Sequence, residues 1–552
     1  MSVAPRIRSR RTEALELRQE AAQLAFLRPQ RDHLANGEEW EYRRPAPLGG
    51  LSFIANYSKA LPHNGIGEVT QSAYRALLRA IHSANADDFA QIPLGTVGGL
   101  RLTNPQSGFA FDLEGPDSHA VTLPPAPRLD EPENSGEMGE LYWMALLRDV
   151  RFSDYGANPQ VAAAAQSLSP PPVGDFTVFK GPKVGGVVTP ATLFRGSSPG
   201  DLTGPYISQF LLKGTADGVL NPPPDRGIIR YGTLPINQKQ RTVVANQDFL
   251  TTFPDWRSVQ NGQDRRGTDV FDPTPRFIRN LRDLANYVHF DALYEAYLNA
   301  CLLLLSMPAR LDPGNPYADP AQGQGVKQEG FGTFGGPHIL SLVTEVATRA
   351  LKAVWFQKWG VHRRARPEEF GGRIQVHRNM LPGRYPMIDG EILNSSVIPL
   401  IEAQFGTALL PQAFPEGAPT HPAYGAGHAT VGGACVTILK AWFDESDAFD
   451  PGLAPNPMLG ENRRPKVPNA AGTALVNFPG PETLTVGGEL NKLAANIALG
   501  RNGGGVHWRS DYPASIKLGE EIAIGILQEQ KATYLEDHFL SLTRFDGTSI
   551  TI

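Results

Sequence analysis

Cysteine is almost absent: the 552 residues contain two, Cys301 and Cys435. Each sits in an apolar helical run, which excludes a disulfide framework or a thiolate metal centre and predicts two buried thiols. A basic excess is also missing. The net charge is −5, whereas a general nucleic-acid binder needs a basic stripe to neutralise phosphates. Long apolar runs are lacking as well: Ala300 to Leu305, for example, falls far short of the roughly 20 residues that cross a bilayer. The N-terminal "SRR" is followed by charged and polar residues instead of the apolar core of an export signal. These absences predict a soluble protein, cytoplasmic by default, that takes neither nucleic acid nor membrane as partner. Any anion site must therefore be a local cluster.

What is abundant is glycine and proline, 57 and 48 residues, which predicts long ordered loops over a helical core. Helical periodicity runs through 12–28, 68–90, 139–150, 276–306, 337–360, 391–409, 428–443, 488–500 and 513–534. In the 337–360 segment, Ile339, Leu342, Val343, Val346, Ala350 and Val354 form one apolar face. Pro337 starts this helix and Pro367 prevents its continuation. "SLSPPPVGDF" (167–176) and "NPPPDRG" (221–227) read as wrapping loops, and "FTVFKG" and "TVVAN" as short strands. The expected fold is mainly α, helical bundles with long Pro/Gly-rich loops and a few short strands. It forms one large helical unit of N-terminal helices and coverings (1–330), an oxyanion-site bundle (331–535) and a C-terminal tail (536–552). Chemically suggestive clusters concentrate in 350–512, and function is read from there.

Three clusters carry the argument. In "KWGVHRRARP", Lys358 offers a point charge and Arg366 a planar fork of donors, suited to several oxygens of one tetrahedral anion. Taken alone, a solvated helix end explains this cluster better. In "PTHPAYGAGHATVGG", Gly425 and Gly427 let backbone N–H groups approach an anion at a helix start. His428, at that start, is a candidate general acid or base, or equally a packing histidine. In "GRNGGGVHWRSD", Arg501 adds a bidentate oxyanion contact, and Asp511, four residues after His507, can set that imidazole's tautomer. An ordinary surface salt bridge is the alternative. Jointly, the clusters supply cations, backbone donors and imidazoles but no acidic or thiolate ligand set. The shared ligand is expected to be an oxyanion such as phosphate or vanadate.

KxxxxxxxRP at 358–367, GH at 427–428 and RxxxxxHxxxD at 501–511 together resemble the signature of the vanadium-dependent haloperoxidases and their relatives, the histidine acid phosphatases of the type 2 phosphatidic acid phosphatase superfamily. "GELYWMALLRD", "EGFGTFGGPHILSLV" and the "HP" preceding His428 look like the red-algal and cyanobacterial bromoperoxidase branch, a likeness running from about residue 40 to the C-terminus.

The resemblance implies a vanadate cofactor, with no haem or flavin. His507 would ligate vanadium, with Asp511 holding its tautomer. Lys358, Arg366, Arg501 and the Gly427 N–H would neutralise the oxygens. His428 would take a proton from hydrogen peroxide, and Lys358 would polarise the bound oxidant so that halide attacks it. The partners implied are hydrogen peroxide, bromide or iodide and small organic acceptors, in a homodimer or larger homo-oligomer. Where many family members carry serine beside the Gly-His pair, this chain has Ala426, which predicts weaker vanadate retention. His421 stands where bromoperoxidases of this branch carry histidine, favouring bromide and iodide over chloride; Gln357 and Trp355 are expected to shape the entrance. Some relatives carry a structural divalent cation such as Ca2+, but "DPGNPYADPAQGQG" lacks EF-hand spacing and assigns no site. An acid phosphatase using the same residues, and a non-catalytic oxyanion-binding assembly protein, are the rival readings.

Overall fold

The computed structural model describes residues 3–29, 31–215, 226–307, 309–449, 465–481 and 483–552. Residues 221–225 of the expected "NPPPDRG" loop lie outside this set. The N-terminal half contributes α1 (Val3–Leu27), α2 (Gln71–Ser83), α3 (Ala86–Ala90), α4 (Pro132–Leu146), α5 (Pro159–Ser167), α6 (Phe253–Gln260), α7 (Leu281–Phe290) and α8 (Glu295–Ser306). The remainder adds α9 (Gly336–Trp355), α10 (Pro367–Gln375), α11 (Gly390–Leu393), α12 (Val397–Phe405), α13 (Gly427–Trp442), α14 (Val486–Gly503) and α15 (Asp511–Lys531). Among the described residues, strands are confined to two-stranded antiparallel pairs, such as Ile228–Tyr231 with Leu234–Asn237 and Ser541–Thr543 with Ser549–Thr551.

The bundle is organised around α13. Every residue of this helix except His428 is buried, as expected for a helix apolar on all sides. It packs on α9, α14 and α15. The α13–α15 crossing is close because two glycines meet backbone there. A Cβ on Gly433 would lie 2.0 Å from the Ile516 carbonyl oxygen, and one on Gly519 1.9 Å from that of Thr430. The predicted apolar face of α9 is buried in full. Cys301 and Cys435 are buried free thiols, as expected, and burial pushes the Cys301 thiol up to about 12. Among the described residues, no helix is long and apolar enough to cross a membrane.

Several sequence expectations change. The 276–306 segment is two helices, because the chain turns between Phe290 and Glu295. The 68–90 segment breaks after Ser83, where Ala84 adopts a left-handed φ of 52°, and 391–409 breaks between α11 and α12. "FTVFKG" forms no strand, and "TVVAN" contributes only an isolated bridge between Val243 and Phe271. Both are β-branched or aromatic stretches without a neighbouring strand to pair, and tertiary context overrides such propensity. α5, α6 and α10 were not anticipated. Pro367 does more than stop a helix: it occupies the first turn of α10, where its missing N–H costs nothing.

Candidate active site

α9 does not end cleanly at Trp355. It widens into a π-helical turn over Phe356–His362, after which Arg363 takes a left-handed φ of 45° and Arg366 caps α10. Such widened turns recur at functional sites because the extra residue re-aims side chains. Here Lys358 is carried into the interior, fully buried, with Nζ donating to the carbonyls of Pro422 (2.8 Å) and Ala423 (3.1 Å). Lys358 is thus no solvated helix-end charge. The Arg366 N–H donates to the Glu369 carboxylate (2.8 Å), and its buried guanidinium donates to the carbonyls of His421 (2.9 Å) and Val506 (2.7 Å). The same fork reaches His507 Nε2 at 2.9 Å and His421 Nδ1 at 2.8 Å.

α14 delivers Arg501 in its last turn, and the glycines that follow fold the chain back. Gly505 has a φ of 84°, which glycine adopts without strain. A Cβ on Gly504 would press to 2.8 Å from the Phe414 ring. His507 then faces Arg366, while Asp511, the first residue of α15, accepts from His507 Nδ1 (2.7 Å) and from the Trp508 N–H (3.0 Å). With Nδ1–H committed to the carboxylate, the Nε2 lone pair is left as the reactive atom. Burial, then Arg366, Lys358 and Arg501, hold the His507 pKa well below its ordinary value. The ring is neutral, as a ligand or nucleophile must be.

His428 is the second residue of α13, and its Nε2 lies 3.1 Å from Asp291 Oδ1. Ala426 caps the helix without a side-chain bond, and its own N–H donates to Ser515 Oγ (2.8 Å). The Gly427 N–H belongs to the first turn, whose donors lack intrahelical partners. A Cβ there would lie 3.2 Å from Trp355 Cζ3, so glycine keeps this approach open. A cavity of about 500 Å³ is lined by Gly427, His428, Arg501, His507, His421 and Trp355, among others.

Three cations therefore converge. Burial first, and neighbouring guanidinium groups second, depress Lys358 and Arg366; burial alone depresses Arg501, which Asp291 and Glu416 partly offset. Arg366 and Arg501 are pushed down to about 10. Arg501 Nε is buried with no hydrogen-bond partner among the described residues. An orphaned donor within a depressed set of cations fits an oxyanion, which would satisfy both. Among the described residues no group of three His, Cys, Asp or Glu could hold a cationic metal.

The structure brings together all three clusters: Lys358, Arg366, His421, Ala426, Gly427, His428, Arg501, His507 and Asp511. Gln357 is the exception. Its amide is fully buried, donating to the Val121 carbonyl (3.0 Å) and meeting His33 Nδ1 (3.2 Å), while its oxygen accepts from the Leu123 N–H (3.2 Å). It is a strut behind the site and does not shape the entrance, because on the widened turn adjacent side chains point apart. Trp355 does line the cavity, its ring 4.8 Å from that of His421. The 312–325 loop spends aspartates on itself and its neighbours: Asp312 accepts from the Gly314 N–H and Ser541, and Asp319 from the Ala321 N–H.

Confining function to residues 350–512 missed half of the cavity. Asp291, His289, Phe271 and Asp269 also line it, and Lys59 anchors its wall by donating to Glu368 Oε1 (2.9 Å) and the carbonyls of Glu416 and Ala418 (2.6 Å each). The only sequence signal was "VHFD" at the end of a strongly periodic helix, a histidine and an aspartate where the chain must turn.

Comparison with known proteins places this geometry in context. Residues 397–535 match the family model described as the VCPO second helical-bundle domain. The chain is 40% identical over 611 residues to a vanadium-dependent bromoperoxidase of Corallina officinalis, covering 100% of this chain and 99% of that protein. It is 34% identical over 520 residues to a vanadium-dependent bromoperoxidase of Ascophyllum nodosum, covering 91% and 87%. The homohexameric second vanadate-dependent bromoperoxidase of Ascophyllum nodosum superimposes with a TM-score of 0.84 at 29% identity, over 98% of this chain and 90% of that one.

Proposed function

The chain belongs to the vanadium-dependent bromoperoxidases, and from that membership we propose that it oxidises bromide, and iodide, with hydrogen peroxide at a vanadate held in the cavity of His507. Peroxide and halide are its substrates, and hypohalous acid, delivered to small organic acceptors, is its product. One peroxide, one bromide and one proton give hypobromous acid and water; the peroxide O–O bond breaks and bromide loses two electrons. Vanadate, when bound, supplies an electron-poor centre that activates peroxide without changing its oxidation state, so no haem or flavin is needed.

The observation that carries this reading is His507, a neutral imidazole with Nδ1–H fixed on Asp511 and Nε2 presented among Arg366, Lys358 and Arg501. His507 would ligate vanadium, and Lys358, Arg366, Arg501 and the Gly427 N–H would hold the oxygens by fixed electrostatics. Asp291 orients His428, the residue of α13 open to the cavity, to take a proton from peroxide. Because Lys358 hangs on two carbonyls, its charge stays in one place as negative charge develops. His421 Nδ1 accepts from Arg366 and the ring packs against Trp355, which supports its placement beside the halide path. The chain works as a homo-oligomer; exposed Leu15, Leu24 and Phe26 of α1 supply apolar surface for contacts between copies.

The test is peroxide-dependent bromination of a phenolic dye by metal-free protein, with and without orthovanadate. Activity that requires vanadate is expected. No activity in either sample, with the protein folded, would overturn the assignment and leave an acid phosphatase or an inactive scaffold.

A further inference from the structure

The cavity is chemically divided. Arg501 and His507 line its floor, with Arg366 and Lys358 close behind His507, but another part of the lining, its wall, holds three carboxylates, Asp269, Asp291 and Glu416. Asp291 Oδ1 meets His428 (3.1 Å) and Glu416 Oε1 meets His289 Nε2 (2.7 Å), whereas Asp291 Oδ2, Glu416 Oε2 and Asp269 Oδ1 are buried with no partner among the described residues. The Asp291 side chain is only 3% exposed, so an unpaired carboxylate oxygen is held almost wholly out of water on the cavity wall. That arrangement is costly unless a cation or donor completes it.

The floor cannot supply that cation during turnover. Arg501 feels the charges of Asp291 and Glu416, but an oxyanion on the floor draws on Arg501 together with Lys358 and Arg366; Lys59, which Glu416 feels, is committed to Glu368 (2.9 Å) and two carbonyls. Arg266, at the rim, is paired with Asp264 (3.0 Å) and largely exposed. Nor do the carboxylates converge as metal ligands do; among the described residues no such group exists. Spread-out acceptors suit a larger, extended cation.

The same wall is aromatic. Phe414 stacks on His289 (4.0 Å, 16°), Phe290 lies 4.3 Å from His289, and Phe271 lies 5.8 Å from Phe290. Trp355 closes the other side. Aromatic faces beside unpaired carboxylates recognise a flat ring bearing an ammonium group.

We propose that this wall docks the organic acceptor, and that it selects aromatic acceptors carrying a protonated amine: the ammonium completes Glu416, Asp269 and Asp291, and the ring rests on Phe290 and Phe271. The inference rests on the haloperoxidase reading, both for its chemistry and for the oxyanion that engages Arg501. In the halogenation, hypobromous acid places bromine on a ring carbon, that carbon loses its proton, and the proton leaves with the hydroxide as water. An anionic acceptor is repelled by the wall, and a neutral one gains only the ring contacts.

The test is calorimetric titration of the vanadate-loaded protein with tyramine, p-cresol and 3-(4-hydroxyphenyl)propionate, which share one phenol and differ in charge. Tyramine is expected to bind at least tenfold more tightly than p-cresol, and the propionate more weakly still. Glu416→Gln and Asp269→Asn should each remove most of that preference. Bromination of the same phenols is measured in parallel against their rates with added hypobromite, so that any excess preference for tyramine belongs to the protein. Charge-dependent binding without bromination would uphold the site and refute the assigned reaction. Bromination with equal binding of all three phenols, or a tyramine preference unchanged in both variants, would overturn the inference while leaving the haloperoxidase reading intact.

Discussion

Ala426→Ser supplies the hydroxyl that the family resemblance leads one to expect beside the Gly-His pair. Ala426 has the extended backbone of a helix cap (φ −84°, ψ 125°) but offers no side-chain oxygen to the first turn of α13. A serine hydroxyl there has two uses at once: its oxygen can accept a first-turn N–H, and its hydrogen can donate to a bound oxyanion. The capping gain is about 1 kcal/mol. In a chain of this length an unfolding entropy of about 2.1 cal/mol/K per residue turns that into a melting shift of about 1 °C or less. The hydrogen bond to a charged group adds about 1.5–3 kcal/mol, or about ten- to hundredfold in affinity at about 1.4 kcal/mol per decade. The two effects therefore separate cleanly. Reconstitution of metal-free protein with orthovanadate, followed by bromination activity, should give a half-saturating concentration about ten- to hundredfold lower for the variant, with nearly unchanged melting. Equal affinity and turnover in the two proteins would show that the Ser515 hydroxyl, already bonded to the Ala426 N–H, or another donor makes the missing contact superfluous.

Three further outcomes follow from the geometry. Asp511→Asn frees the His507 tautomer and should weaken vanadate affinity by about 10- to 100-fold, read by the same titration; retention of wild-type affinity would show that Arg366 alone orients the ring. Lys59→Met leaves Glu368 buried without its partner, a loss of about 3–5 kcal/mol that denaturant unfolding should detect; an unchanged midpoint would mean that Gln260, which also bonds Glu368, suffices. Asp201 is buried and its carboxyl is pushed up from 3.8 to about 6. Between those values the folded state binds more protons than the unfolded, so this group's contribution falls as pH rises through about 4 to 6, by about 3 kcal/mol in total. Asp201→Asn should flatten that part of the stability profile, and a profile parallel to wild type would refute the assignment.

The oxyanion motifs were legible because their chemistry is local in sequence. Gly427-His428 at a helix start, and Arg501, His507 and Asp511 around a glycine turn, lie within single turns or short loops, where residue type and spacing dictate reach. The long helices were legible for the same reason, since an apolar face repeats every three or four residues wherever the partner lies. Gln357 was misplaced because its direction depends on a π-helical turn, and no periodicity reveals one extra residue in a turn. The strand expectations failed because pairing needs a second segment that only the fold can bring near.

By itself, then, the sequence determined a mainly helical protein, the cations and imidazoles of an oxyanion pocket, and the family to which these belong. The tertiary structure alone decided that His428 is the one residue of α13 left open, that Asp291 from the end of α7 lies against it, and that Glu416 and Asp269 line the same cavity as Arg501 and His507. Those contacts join residues more than a hundred positions apart, and their proximity is set by how helices pack, which spacing along a chain does not encode.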